Sequence, residues 1–241
     1  MNNTKRICLW SSPRNLSTAL MYSFAQRKDT LAVDEPLYAH YLRVTNADHP
    51  GKEEVLQSQE KDGAKVIAQM VDGLYDKPVV FFKQMTHHLV EVDTSFLSKT
   101  LNIIYIRNPK RIISSYAQVR KEVIMDDIGI AAQWQLYQFL QNNNYSCIVL
   151  DSGELLKNPE KVLTDLCTAL TIPFDKAMLH WQSGQKKEDG VWAKYWYANV
   201  HQSTGFAKQP TSERPLPKYL ESLYQESKVY YDLLIPHSIK A

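Results

Sequence analysis

The residues able to do chemistry fall at the ends of apolar runs. Ile7-Cys8-Leu9-Trp10 is one such run; Ser11-Ser12-Pro13 breaks it, and a helical pattern begins at Ser17 with Ala19, Leu20, Tyr22 and Phe24. A buried strand, a tight polar turn and a helix make a phosphate-binding layout, because a helix N-terminus offers unpaired N–H groups and a partial positive charge. Arg14 adds a planar cationic fork, and Ser17 and Thr18 add hydroxyls in the first helical turn. The same residues also fit an ordinary strand-to-helix turn with a Ser/Thr cap and a surface arginine. The pattern G-x-x-x-x-G-K-[ST] is absent, and no glycine lies between Trp10 and Thr18, which counts against an ordinary ATPase or GTPase. Further along, Asp34-Glu35, Lys83 to His88 (K-Q-M-T-H-H), Arg107-Asn108 and Asp151-Ser152 each follow an apolar run.

The runs themselves are of strand length: Leu31 to Val33, Val79 to Phe82, Leu101 to Ile106 and Ser146 to Leu150. Continuous apolar runs of this kind suit strands buried on both faces, as in a parallel sheet. Between them the spacing predicts helices over Ala64–Tyr75, Asp93–Lys99, from Pro109 through Val119, over Ile130–Leu140, Pro159–Leu170 and Asp175–Trp181, with a last one over Leu216–Leu234. Glu54–Gln59 reads as a short helix, Leu37–Val44 as helical or irregular, and His201–Pro217 as a long irregular loop broken by prolines. The alternation predicts a three-layer α/β/α domain with a mainly parallel sheet, one domain over residues 1–241. Ligands of such folds sit beyond the carboxyl ends of the strands. That rule brings Pro13-Arg14, Asp34-Glu35, Lys83 to His88, Arg107-Asn108 and Asp151-Ser152 to one edge.

Composition narrows the class. A net charge of +2 gives no global field for nucleic acid or a membrane surface, so any anion site must be built from local cations. Cys8, Cys147 and Cys167 are odd in number and far apart, and read as reduced thiols of a cytoplasmic protein. Charge and Ser/Pro interrupt the first ten residues, unlike a signal-peptide core, and no apolar run approaches the roughly 20 residues that span a bilayer. No internal repeat or coiled-coil heptad is present, so the sequence is silent on oligomeric state.

Two segments together resemble the sulfotransferases that use 3′-phosphoadenosine 5′-phosphosulfate. Ser12-Pro13-Arg14-Asn15-Leu16-Ser17-Thr18 looks like the family's 5′-phosphosulfate loop, P-[KR]-S-G-[ST]-[ST]. Tyr105-Ile106-Arg107-Asn108-Pro109-Lys110-Arg111-Ile112-Ile113-Ser114-Ser115-Tyr116 looks like its 3′-phosphate segment, Y-x-x-R-[ND]-P-x-[DE]-x-x-x-S-x-[YF]. The resemblance implies a P-loop NTPase-like sulfotransferase fold and a divergent member of bacterial type. The reaction would be transfer of a sulfonyl group to a hydroxyl or amine of a small acceptor, with no metal required. It also implies that Arg107 and Ser115 bind the 3′-phosphate, and that Arg14, Asn15, Ser17 and Thr18 serve the 5′ side. Lys83 stands close to where the family keeps a donor-binding lysine. For the base, His87 and His88 lie near the family's histidine, offset by about two residues. Asp34-Glu35-Pro36-Leu37-Tyr38 is similar to the E-[PE]-[FLY] setting of the catalytic glutamate in bacterial carbohydrate sulfotransferases, and Glu35 is preferred.

The departures are specific. Leu16 replaces the loop glycine, Arg111 replaces the usual acidic residue, and the family's Arg-Lys-Gly segment has no clear counterpart. Ser203, Thr204, Gly205 and Lys208 are the expected substitutes for it, against an irregular surface loop. Trp192, Tyr195, Trp196, Tyr38 and Tyr41 are candidates to line the acceptor pocket or stack on adenine, against a place in the core. Two other readings compete. One is a small-molecule kinase or nucleotide hydrolase on this scaffold, for which Asp151 is the remaining strand-end carboxylate. The other is a non-catalytic nucleotide-binding protein.

Overall fold

Alternate residues of each apolar run point into opposite layers, and this is what makes the runs continuous. Ile7 and Leu9 join one buried cluster while Cys8 and Trp10 join the other; Phe81 and Phe82 divide the same way, as do Ile103 and Ile104. The computed structural model describes residues 4–118, 122–207 and 215–241. Its strands are β1 (Lys5–Ser11), β2 (Thr30–Asp34), β3 (Val79–Met85), β4 (Leu101–Ile106) and β5 (Ile148–Asp151). They form one sheet in the order β2-β3-β1-β4-β5, and every pairing is parallel. In register, Ile7 stands between Phe81 and Leu101. From β1 the chain first fills the β3 side, laying the edge strand β2 before β3, and then the β4 side. The loop after β1 is therefore at the switch point where open α/β sheets bind ligands.

The helices are α1 (Ser17–Ala25), α2 (Tyr38–Thr45), α3 (Lys52–Ser58), α4 (Gly63–Asp72), α5 (Pro109–Tyr116), α6 (Met125–Ile128), α7 (Ile130–Asn142), α8 (Ser152–Lys157), α9 (Pro159–Ala169), α10 (Ala193–Trp196), α11 (Ala198–His201) and α12 (Glu221–Leu234). Helices α4, α5, α7 and α12 cover one face of the sheet; α1, α8 and α9 cover the other. A third, smaller cluster joins Tyr38, Ala39 and Leu42 of α2, Val55 of α3, and Trp192, Ala193 and Tyr197 around α10. None of the helices is long and apolar enough to cross a membrane, among the described residues.

Several expected helices differ. Within residues 93–99 and 175–181 the structure has short 3₁₀ helices, Thr94–Lys99 and Lys176–Leu179, in place of α-helices. Asp93 and Asp175 accept the backbone N–H groups of Ser95 and Ala177. Helix α12 begins at Glu221, after a 3₁₀ turn that follows Pro217. Helices α6 and α8, four and six residues long, are too short to leave a periodic signal in the sequence.

Candidate active site

The turn after β1 adopts a conformation that glycine normally supplies. Arg14 (φ 62°) and Leu16 (φ 59°) are both left-handed. Leu16 stands where the resemblance leads one to expect glycine, and it takes the left-handed conformation that glycine favours. Side-chain amides brace the turn from below. The Nδ2 group of buried Asn15 donates to the Tyr105 carbonyl at the end of β4. Gln133 Nε2 of α7 donates to the carbonyls of Trp10 (3.2 Å) and Tyr105 (2.6 Å). Leu16 is the residue before α1, and its carbonyl accepts the Leu20 N–H at 3.2 Å. Ser17 and Thr18 open α1, so their N–H groups are those without an intrahelical partner.

Strand β4 ends at Ile106, and Arg107 follows it. Asn108 caps α5 by accepting the Lys110 N–H at 3.0 Å, and Pro109 takes the first helical position. That local chemistry fixes the angle at which α5 leaves the sheet and brings Ser115 back over the turn. Arg107 Nη1 donates to the Arg14 carbonyl, and Arg14 Nε donates to Ser115 Oγ at 3.0 Å. The Arg14 guanidinium lies 6.0 Å from the Tyr116 ring centre. Arg14, expected on the sulfonate side, thus reaches the Arg107–Ser115 corner. Burial, with Arg111 and Arg14 as like charges, holds the Arg107 guanidinium down at about 10, still a cation at neutral pH. Among the described residues its Nε is buried without a partner, and so is Ser114 Oγ. This is a corner built to donate to an anion.

The ends of β2 and β3 carry a different arrangement. Lys83 is fully buried, and its Nζ donates to Asp34 Oδ1 (2.9 Å), to Tyr197 Oη (2.7 Å) and to Glu35 Oε1. Tyr197, the residue joining α10 to α11, donates in turn to Asp34 Oδ2 at 2.8 Å. Burial outweighs the pull of Lys83 and, with Asp34 as a like charge, raises the Glu35 carboxyl above its ordinary value. Burial lowers Lys83, but its two carboxylate neighbours win, and the ammonium is held well above its usual range. Glu35 Oε2 lies 3.9 Å from His88 Nε2. Burial and neighbouring cationic groups push His88 well below its usual value; His87, desolvated and near His49, falls to about 4. Both histidines are neutral at pH 7. His88 stacks on Tyr38 at 5.2 Å, and Tyr41 meets the rings of His87 and His88 at 4.9 Å each.

One cavity of about 1020 Å³ joins the two arrangements. It is lined by Arg14, Asn15, Ser17, Thr18, Glu35, Lys83, His87, His88, Arg107 and Ser115, so residues from four strand ends meet there. Tyr38, Tyr41, Trp192 and Trp196 line it as expected, whereas Tyr195 turns away and donates to Glu54 Oε1 at 2.9 Å. In the 202–208 segment, Ser203 and Gly205 reach the cavity. Ser203 Oγ is engaged by Trp181 Nε1 (3.1 Å) and by the Val200 carbonyl (2.6 Å). Thr204 is not at the cavity wall; its carbonyl accepts the Trp181 N–H at 3.1 Å. Lys208 lies outside the described residues. Asp151, the strand-end carboxylate of the kinase reading, is occupied: it caps α8 through the Glu154 N–H (2.9 Å) and accepts Tyr231 Oη (3.1 Å).

Sequence reasoning missed Tyr197, Gln133 and the part played by Asp34. Asp34 had a signal, since it precedes Glu35 at a strand end. Tyr197 had none, because it arrives from 163 residues further along the chain.

A parallel sheet with helices on both faces and a left-handed polar turn after its central strand defines a P-loop-like α/β fold. The family model described as "Sulfotransferase domain" matches residues 5–234, and the chain belongs to that family. It is 39% identical over 229 residues to "Branched-chain-amino-acid aminotransferase-like protein 1" of Arabidopsis thaliana, and 36% identical to protein 2 of the same name. Each match takes in 95% of this chain and 41% of the plant protein, so the chain spans well under half the length of these relatives. Among solved structures it is similar to the sulfotransferase domain from the curacin biosynthetic pathway, with a TM-score of 0.57 at 16% identity. That match covers 93% of this chain and 98% of the other. A sulfotransferase from Alicyclobacillus acidocaldarius gives 0.56 at 12% identity, covering 98% and 97%. At these identities the likeness is one of fold.

Proposed function

We propose that the protein transfers a sulfonyl group from 3′-phosphoadenosine 5′-phosphosulfate to a hydroxyl or amine of a small acceptor. The observation that carries this reading is the single cavity with arginines at one end and a buried carboxylate at the other. The unpartnered Arg107 Nε fits a phosphate in that corner, with Arg14 and Ser115 as further donors. The N–H groups and hydroxyls of Ser17 and Thr18 serve the 5′ side. When bound, the nucleotide supplies an activated sulfonyl group with a bisphosphate leaving group.

Transfer forms a bond from the acceptor oxygen or nitrogen to sulfur as the bond from sulfur to the bridging phosphate oxygen breaks. Negative charge grows on the leaving oxygen, where the helix N-terminus stabilises it. The acceptor's proton goes to Glu35. A carboxylate raised by burial is a better base near neutral pH than an ordinary one, and histidines lowered as far as His87 and His88 are weak bases. Lys83, enclosed by two carboxylates and a phenol, serves Glu35 before it serves the donor.

The test is calorimetric titration with 3′-phosphoadenosine 5′-phosphate and, separately, with Mg·ATP. Tight bisphosphate binding that Arg107→Ala weakens about 10- to 100-fold is expected. Binding of Mg·ATP alone would overturn the reading.

A further inference from the structure

Asp34 lies outside the cavity wall, yet every feature of the carboxylate end passes through it. Its side chain is 1% exposed. Oδ1 accepts from Lys83 Nζ (2.9 Å). Oδ2 accepts from Tyr197 Oη (2.8 Å) and from the Gly190 N–H (3.3 Å). Tyr197 also accepts from Trp192 Nε1 at 3.2 Å, so the segment 190–197, which supplies the aromatic wall of the cavity, is pinned to the end of β2 by one carboxylate. The next residue is Glu35, whose backbone is left-handed (φ 44°) and whose N–H donates to the Lys83 carbonyl at 2.8 Å.

We infer that Asp34 is a positioning residue that shares the Lys83 ammonium with Glu35, so that Glu35 does not face a whole cation when it takes the acceptor's proton, and that it ties the Lys83–Glu35 pair to the 190–197 wall. The inference rests on Glu35 being the base. Without Asp34 the lysine would have Glu35 as its one carboxylate, beside the Tyr197 hydroxyl, and make it a poorer base. With Asp34, one ammonium is divided between two carboxylates, and the second carboxylate adds a like charge that disfavours ionisation of Glu35. The other groups around Glu35 fit this division. His88 faces Oε2 but is neutral, with the neutral His87 beside it; Tyr38 and Tyr197 are phenols held protonated by burial. Gln59 Nε2 donates to the Glu35 carbonyl at 3.1 Å and leaves its carboxyl alone. Lys83 is thus the cation whose sharing sets the proton affinity of Glu35.

The test follows Glu35 directly and needs no acceptor. Protein labelled with carboxyl-¹³C glutamate is titrated by NMR, with the Glu35 signal assigned by its loss in Glu35→Gln, for wild type, Asp34→Asn and Tyr197→Phe. The Glu35 midpoint is expected above the ordinary carboxylate range in wild type and lower by about one pH unit in Asp34→Asn. In Tyr197→Phe, where Lys83 loses a competing acceptor, it falls by a smaller step. Tyr197→Phe keeps the ring and serves if Asp34→Asn does not fold. An unmoved midpoint in the folded variants overturns the inference and leaves Asp34 a structural tie. Binding of 3′-phosphoadenosine 5′-phosphate, measured on the same samples, is expected within about twofold of wild type. Wild type that fails to bind it, with the midpoint still shifting, would overturn the sulfotransferase reading and leave the coupling standing.

Discussion

The two ends of the cavity are built on different principles. The arginine corner is assembled from two local segments, residues 13–18 and 107–115, each a strand end running straight into a helix. Its donors are few, its Arg107 Nε has no partner among the described residues, and its turn is held in a conformation that suits glycine better than leucine. The carboxylate end is drawn from β2, β3 and the α10–α11 junction. Its charges are already satisfied by one another: Lys83, Asp34, Glu35 and Tyr197 close a network with almost no exposure. A corner that keeps its bonds for a ligand should matter for affinity and little for folding. A network that spends its bonds internally should matter for folding first.

Lys83→Met sets that contrast at its sharpest. It leaves two buried carboxylates without their cation, and a loss of about 3–5 kcal/mol is expected in urea unfolding. Unchanged stability would show that the network is not held by charge. Arg107→Ala is the counterpart. Bisphosphate affinity should fall about 10- to 100-fold, the worth of one or two charge-assisted hydrogen bonds, while stability changes by only about 1 kcal/mol. A larger loss of stability than of affinity would merge the two ends into one structural unit.

Acid sharpens the comparison further. An unfolded histidine takes up its proton near pH 6.5, whereas folded His87 does so only at about 4. Between those values the unfolded chain binds the extra proton, so stability is level above pH 6.5 and falls as the pH drops through the window. Wild type should lose about 1–2 kcal/mol more than His87→Phe between pH 7 and pH 5, with Glu35 and His88 common to both proteins. Equal losses would remove His87 from the account. The smallest effect belongs to the turn. Leu16→Gly relieves a left-handed leucine at some cost in chain entropy, and a gain of at most about 1 kcal/mol in unfolding free energy is expected. A loss would mean that the Leu16 side chain contributes more than its backbone costs.

How far the sequence could be read follows the same division. The inner strands were legible because burial on both faces removes polar interruptions from a run such as Val79 to Phe82, while the edge strand β2, with Leu31 exposed, was marked by its short apolar run before Asp34-Glu35-Pro36. The arginine corner was legible because its parts are contiguous: Pro109 does take the first position of α5, with Asn108 as a cap that the sequence had not marked out. The direction of Arg14 was not, since a side chain's reach across a turn depends on two left-handed residues that the sequence marks as unlikely rather than present. At the other end, Glu35 and Lys83 could be placed at strand ends, but their pairing could not, because it needs Tyr197 from a segment whose aromatics carry no period. Tyr195 and Tyr197, two residues apart, go to opposite fates: one bonds exposed Glu54 and the other closes a buried network.

The strand order carries a further consequence, for the time during which the protein is made. β1 is the central strand, and its partners are β3 and β4; β2, the next strand made, pairs with β3 rather than with β1. From Lys5 to the end of β3 at Met85, about 80 residues must leave the ribosome, which takes about 4–16 s at ordinary rates of synthesis. Throughout that interval Ile7-Cys8-Leu9-Trp10 is an apolar β-former with an unpaired backbone, the kind of segment that a chaperone must shield in a growing chain.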